Sequence, residues 1–414
     1  MKTQRTKLPP RQKRLVAFLD SLTHAAGHAD RVAPMSNYIK GLLLPIKRKS
    51  IESMASYLAP DHVGRMHQSL HHIVAEAPWN DDAVLAAARG KTLPAITRWH
   101  RLAAWIIKDL DFPKKGEHSV GVARQRCGSV DKPKNRRVAV GVSVATSVTS
   151  LPVACRLYLP EIWVDDPVHR QTAGVPEKIV FQTKSEIAIE QLQLMIEADV
   201  QRAPVVADAT YGNDKRFREK LEAMGLDYCV GIQPSTLVWL PGSALTSPKV
   251  RGRAGRPLKQ LQQGGWRSPF PVKELVSCLV GADLHRVGWR EGINGMTYSR
   301  FARLHVRVAP HWDCKRSRPY WLLMEWLTAE KEPTNFWLSN LPESTNLQQL
   351  VTAAKMCRVA ERGYEELKKE VGLNDYEGRN WRGFHHHVTL CIAAYDFLVL
   401  MRNLSLSYME KVTV

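Results

Sequence analysis

WIIKDLDFPKKGEHSVGVARQRCG, residues 105–128, is the stretch on which the fold turns. Trp105, Ile106 and Ile107 make an apolar run of strand type that meets the acids Asp109 and Asp111, then a Pro-Lys-Lys-Gly turn, then an alternating run around Val120 and Val122. Two such runs across a turn predict a β-hairpin with carboxylates at its rim. Working outward, 105–107, 119–123 and 137–144 predict three successive antiparallel strands, and 153–159 a fourth. A helix over 186–198 follows, then a buried strand over 204–207 that delivers Asp208 at its end, a helix over 214–224 and a strand over 228–232. Hairpin strands followed by alternating helix and strand are the order of an RNase-H-like α/β core, in which acids at strand ends meet across the sheet.

The flanks have a different texture. Before the core, 12–24, 37–44, 50–58 and 62–75 carry apolar residues at helical spacing, and Ser50 and Asp61 stand where helix caps belong. They predict an N-terminal helical domain over residues 1–98, with Lys47, Arg48, Lys49, Arg65, His71 and His72 on its surface. That set suits either a DNA-reading module or a plain packing domain, because no helix-turn-helix signature is present. Residues 99–233 form the first part of the core. Residues 234–334, rich in Gly, Pro and Arg with short strands at 304–308 and 321–326, read as a β-rich basic insertion. Its run KVRGRAGRPLK at 249–259 resembles a flexible minor-groove arm. Residues 335–414 return to the core through a strand at 335–339, a long helix from Leu347 to about Val371, and a last apolar helix over 388–400.

Charge points to the partner. The chain of 414 residues carries a net charge of +19. Residues 1–100 hold 15 Lys and Arg against 7 Asp and Glu, and residues 241–320 hold 15 against 4, so these two zones account for the whole excess. A near-neutral core with two basic appendages suits a polyanion such as DNA, whose phosphates supply sequence-independent affinity. The seven cysteines are scattered and never form Cys-x-x-Cys, which argues against a zinc site or a disulfide framework and predicts reduced thiols in a cytosol. No apolar run approaches the roughly 20 residues of a membrane span, and the polar, basic start lacks the apolar core of a signal peptide. The expectation is a cytoplasmic, nucleoid-associated protein.

Phosphodiester chemistry with two divalent cations about 3.5–4 Å apart needs clustered carboxylates. Asp208 ends the strand Val205-Val206-Ala207 and precedes Ala-Thr-Tyr-Gly, which presents its side chain at a sheet edge; the bland alternative is a helix cap. Glu361 lies seven residues before Lys368, so both project from nearly the same helical face, an arrangement also common on solvated helices. His385, His386 and His387 point in different directions around a helix and make a poor chelating set, leaving DNA-backbone or packing roles.

FPKKGEHSVGVARQRCG at 112–128, LPVACRLYLPEIWVDDP at 151–167, AGVPEKIVFQTKSEIAIEQL at 173–192, VVADATYGNDKRFR at 205–218 and YEELKKEVGLNDYEGRNWRGFHHHVTL at 364–390 together resemble the Asp-Asp-Glu (DDE) transposases of bacterial insertion sequences, in particular insertion-sequence family seven hundred and one. The resemblance implies an RNase-H-like core, two Mg²⁺ or Mn²⁺ ions, double-stranded DNA of element ends and target as substrate, and a homo-oligomeric synaptic complex. It also implies that Asp208 is the second catalytic Asp, Glu361 the catalytic Glu and metal ligand, and Lys368 a phosphate contact, with Glu377 the runner-up for the Glu. Where the family reads Asp-Asp-Thr-Gly-Phe or Asp-Glu-Thr-Gly-Phe, this chain reads Lys108-Asp109-Leu110-Asp111-Phe112. Lys108 therefore stands at the first catalytic Asp, and Asp109, the best remaining first ligand, points to the other face unless a bulge rotates the strand end. Cys357-Arg358 replaces the family's Arg-Trp, and 128–138 is more basic than its counterparts.

Three functions are compatible with this sequence. One is a transposase that cuts and joins DNA at the ends of its element. Another is a transposase-derived DNA-binding protein that has lost catalysis through Lys108. A third is a general nuclease on the same core, which leaves the family-specific stretches unexplained.

Overall fold

The structure is a computed structural model that describes residues 10–128, 132–239, 269–278, 284–292, 295–309, 318–327 and 330–412. In chain order the N-terminal helices are α1 (Pro10–Ala25), α2 (Val32–Leu42), α3 (Ile51–Leu58), α4 (Val63–Ala75) and α5 (Asp81–Thr97). Strands β1 (Ala104–Pro113), β2 (Ala123–Gln125), β3 (Lys134–Ala145) and β4 (Ser150–Leu157) follow, then α6 (Glu161–Val164), α7 (Pro167–Thr172) and α8 (Lys184–Glu197). Next come β5 (Val205–Ala207), α9 (Ala209–Gly212), α10 (Lys215–Ala223), β6 (Tyr228–Ile232), β7 (Leu237–Trp239), β8 (Phe270–Pro271), β9 (His285–Gly292), β10 (Gly295–Val308), β11 (Tyr320–Trp326) and β12 (Asn335–Ser339). Three helices end the chain: α11 (Leu347–Lys355), α12 (Cys357–Glu370) and α13 (Trp381–Val412). The fold is mixed α/β.

Two compact units divide the chain, Met1–Ala203 with Met356–Val414, and Pro204–Lys355. These boundaries differ from breaks at 98, 233 and 334: the N-terminal helices share a core with the last helix, and β5 and β6 join β12 in the second unit. Phe18 packs on Phe397, Tyr38 hydrogen-bonds His387 at 2.9 Å, and Thr389 donates to Asp81 at 2.9 Å. Helix α5 joins them through its cap Asn80, which accepts from the backbone N–H groups of Asp82 and Ala83, a helix that the periodicity did not reveal. The stretch Trp381–Leu404 of α13 is long and apolar enough to cross a membrane, contrary to the expectation that no run approaches that length. Most of it is buried inside the first unit, as a central core helix must be. Lys49, expected on the surface, is buried with its ammonium on the Leu44 carbonyl and its backbone N–H on Asp375 at 2.7 Å, whereas Lys47, Arg48, Arg65, His71 and His72 are exposed.

In the first unit β1 continues through the acids to Pro113 and pairs antiparallel with β3, Lys108 opposite Gly141 and Asp109 opposite Val140. The opposite edge of β3 carries β2 at one end and β4 at the other. The expected strand over 119–123 is instead a turn in which Gly121 takes φ +72°, a conformation that favours glycine. Val120 and Val122 are buried there without a ladder: Val120 N–H donates to the Arg379 carbonyl at 2.9 Å, and the Val122 carbonyl accepts from the Trp163 indole at 2.8 Å. The hairpin partner of β1 is thus supplied by 134–145. Opposite faces of this sheet meet different helices. Gln191 of α8 donates to the Val140 carbonyl at 3.1 Å, and Tyr364 of α12 accepts a hydrogen bond from Ser143 at 3.1 Å.

The second unit is a mixed sheet in the order β5-β6-β12-β11-β10-β7-β8, with β9 on β10. Strands β5 and β6 are parallel, and the other pairs are antiparallel. Strands β6 and β12 and helix α8 lie where the sequence places them. The predicted long helix from Leu347 is broken at Met356 into α11 and α12. The run Lys249–Lys259 lies outside the described residues.

Candidate active site

Strand alternation sends Lys108 and Asp109 to opposite faces of β1, and each finds a partner on its own side. The Lys108 ammonium lies 2.8 Å from Oε1 of Glu361, with the lysine 32% and the glutamate 48% exposed. Close approaches at two glycines bring α12 onto this face of the sheet. A Cβ at Gly141, across from Lys108, would lie 2.5 Å from the Tyr364 hydroxyl, and one at Gly363 would collide with the Ser150 hydroxyl. Ser150 in turn donates to the Val359 carbonyl at 3.1 Å, which ties the start of α12 to β4.

On the other face the Asp109 carboxylate, 2% exposed, receives the Lys184 ammonium at 2.5 Å. Lys184 opens α8, where a cation opposes the helix dipole, so its position there is itself a sign of an anionic partner. Lys184 also donates to the Arg126 carbonyl at 3.2 Å, binding the segment after β2 to the same pair. Asp111, on the Asp109 face, is paired with the buried guanidinium of Arg136 at 2.9 Å.

The structure therefore brings Glu361 to Lys108 and leaves Asp109 on the opposite side of the strand. Lys368 lies half-buried two turns along α12 from Glu361, as its spacing requires. Glu377 lies in the loop after α12 with its carboxylate on Arg48, an exposed pair. Asp208 belongs to the second unit. It ends β5 and caps α9, accepting from Thr210 N–H at 2.7 Å, so strand terminus and helix cap are one residue. Among the described residues no group of three or more His, Cys, Asp or Glu side chains is set to hold a metal ion.

The family model of the DDE superfamily endonucleases matches residues 17–296. The chain belongs to the DDE endonuclease superfamily. The match spans β1 and Asp208 and ends before Glu361. No curated protein sequence matches the chain. Among solved structures, a piggyBac transposase synaptic complex with hairpin DNA aligns over 92% of this chain and 67% of that chain, at 11% identity and a TM-score of 0.44.

DDE endonucleases generally use divalent metal ions. In this DDE chain the acids of β1 and α12 do not fit one. Glu361 meets an ammonium at hydrogen-bond distance, and the nearest β1 acid is enclosed with a second lysine on the far face.

The histidine triplet of this DDE chain is packing. His385 accepts from Leu157 N–H at 3.2 Å and lies 2.9 Å from the Trp381 carbonyl; His386 stacks on Trp79 with ring centroids 3.7 Å apart; His387 lies between the Tyr38 hydroxyl and the Leu373 carbonyl. Burial pushes all three below the usual histidine range, His386 to about 3 and His387 to about 4, with Arg137 and Lys114 repelling any added charge at His387. Asp81, 3.6 Å from His386, is pushed up by burial to about 7, so burial favours the uncharged form of both partners.

A pH dependence follows for His387. Its folded pKa lies below its unfolded value of about 6.5, so as pH falls from there toward 4 the unfolded chain takes up a proton that the folded chain refuses. Asp81 and Asp396, both raised by burial, work in the opposite direction over that window. His387→Gln isolates the term. Between pH 6.5 and 4.5 the parent should lose about 2 kcal/mol more stability than the variant in urea unfolding. Parallel losses would show that His387 protonates freely in the fold.

Proposed function

We propose that this chain is a transposase-type protein of a bacterial insertion sequence that binds the terminal inverted repeats of its element as a homo-oligomer in a synaptic complex, in the cytoplasm and on the nucleoid. The observation that carries it is membership of the DDE endonuclease superfamily over residues 17–296. The two basic zones and the five quoted stretches support it, and the strand and helix order of the core supports an RNase-H-like arrangement. On this basis Asp208 is the family's second acid, Glu361 its third, and Lys368 a phosphate contact.

Binding without cleavage is the function the geometry favours, because Lys108 takes the place beside Glu361. The presence of Asp208, Glu361 and Lys368 favours a second reading, a working transposase that cuts and joins DNA with Mg²⁺ or Mn²⁺. Such an enzyme would use Asp109 as its first acid, which requires the end of β1 to turn and Asp109 to leave Lys184.

Two measurements test these proposals. Binding to DNA carrying the element's own ends should weaken steeply with salt, by about 10³-fold or more between 50 and 200 mM if six or more phosphates are contacted. A flat salt response would remove the DNA-gripping role of the basic zones. Incubation of the same DNA with Mg²⁺ or Mn²⁺ should leave it uncut, and cleavage abolished by Asp109→Ala would establish the working enzyme instead.

A further inference from the structure

We propose that Lys108 is a resident cation that takes the seat of a divalent ion at Glu361, so that the Glu361 side of β1 excludes the metal. The proposal rests on the DNA-binding function above and deepens it. Three features of the first unit carry it.

The first is placement. Close approaches at Gly141 and Gly363 bring α12 onto the sheet face that bears Lys108, and there the lysine reaches Glu361 at 2.8 Å in a solvent-accessible pair. Tyr364, three residues beyond Glu361, is buried and hydrogen-bonded to Ser143, which fixes the turn of α12 that bears the carboxylate.

The second is charge. One ammonium facing one carboxylate makes a pair without net negative charge, and an ion bound at Glu361 would sit against a like charge within a few ångströms. No other β1 acid compensates. Asp109 has its own lysine at 2.5 Å and Asp111 its own arginine at 2.9 Å, both on the opposite face.

The third is chemistry. A lysine can contact a phosphate oxygen as a point charge, but it does not generate a metal-bound hydroxide at neutral pH. Lys108 and Lys368 thus supply cations from β1 and α12, and Lys108 is partly exposed, within reach of a phosphodiester.

The test uses the full chain without DNA, so its outcome is independent of whether the protein binds element ends. Mn²⁺ binding is followed by the paramagnetic resonance signal of the free ion, for the natural chain, Glu361→Gln, Lys108→Asp and Lys108→Asp/Glu361→Gln, each first checked for cooperative melting. The natural chain and Glu361→Gln should bind Mn²⁺ alike and weakly. Lys108→Asp should bind about tenfold or more tightly, and lose that gain in the double variant. Mn²⁺ binding by the natural chain that disappears in Glu361→Gln overturns the proposal, whatever the folding of the other variants. A folded Lys108→Asp with no gain overturns it too, because the ammonium would then not be what keeps the ion out.

Discussion

Glu325→Gln should destabilise the second unit by about 3–5 kcal/mol, among the largest single-residue effects in the chain. Glu325, fully buried on β11, receives the Lys355 ammonium on both carboxylate oxygens, at 2.5 and 2.6 Å, and Asn335 at 2.8 Å. Lys355, the last residue of α11, is buried against aromatic rings, with Trp289, Trp337 and Phe301 centroids 4.4, 5.2 and 5.6 Å from its nitrogen. Those ring faces favour the cation but cannot replace a carboxylate, so removing the anion leaves a buried charge short of compensation. The cost should appear as a lower urea midpoint, and a double change, Glu325→Leu with Lys355→Met, should recover most of it because two apolar groups carry no desolvation penalty. A single-variant loss under about 1 kcal/mol would mean that water reaches the pair.

Gly212→Ala should be nearly as damaging, at about 3 kcal/mol or more, for a different reason. A Cβ at Gly212 would overlap the Gly231 carbonyl oxygen, and one at Gly231 would lie 3.0 Å from the Ala209 nitrogen. Here α9 presses backbone to backbone on β6, so no rotamer change relieves the overlap. Displacing α9 also moves Asp208, which caps it. Gly90→Ala is the control: it lies exposed on α5 with nothing within 4 Å of the added carbon, and should be neutral or stabilising by up to about 1 kcal/mol. Equal effects at the two sites in thermal and urea unfolding would remove the packing explanation.

Much of the candidate site was legible because local pattern encodes it. Alternation along Ile107-Lys108-Asp109 already separates the lysine from the acid, and the seven-residue spacing already puts Glu361 and Lys368 on one face of a helix. The cap of α8 was equally local, since Thr183 and Glu186 form a capping box. What could not be read was pairing. Val120 and Val122 have the alternation of a strand, yet a glycine turn and contacts from Arg379 and Trp163 make them a buried loop. Lys49 has the composition of a surface basic run, yet Leu44 and Asp375 take it inside.

The sequence by itself determined many of the elements, the superfamily and the excess of positive charge, because each depends on residue identity and short spacing. It also placed a lysine, Lys108, directly before Asp109 on the strand. Only the tertiary structure decided that this lysine closes on Glu361 while Asp109 closes on Lys184, 75 residues away in the chain. The physical reason is range. A side chain's face is set by its own backbone, whereas the charge it meets is set by which helix the far side of the sheet can bring within hydrogen-bond distance.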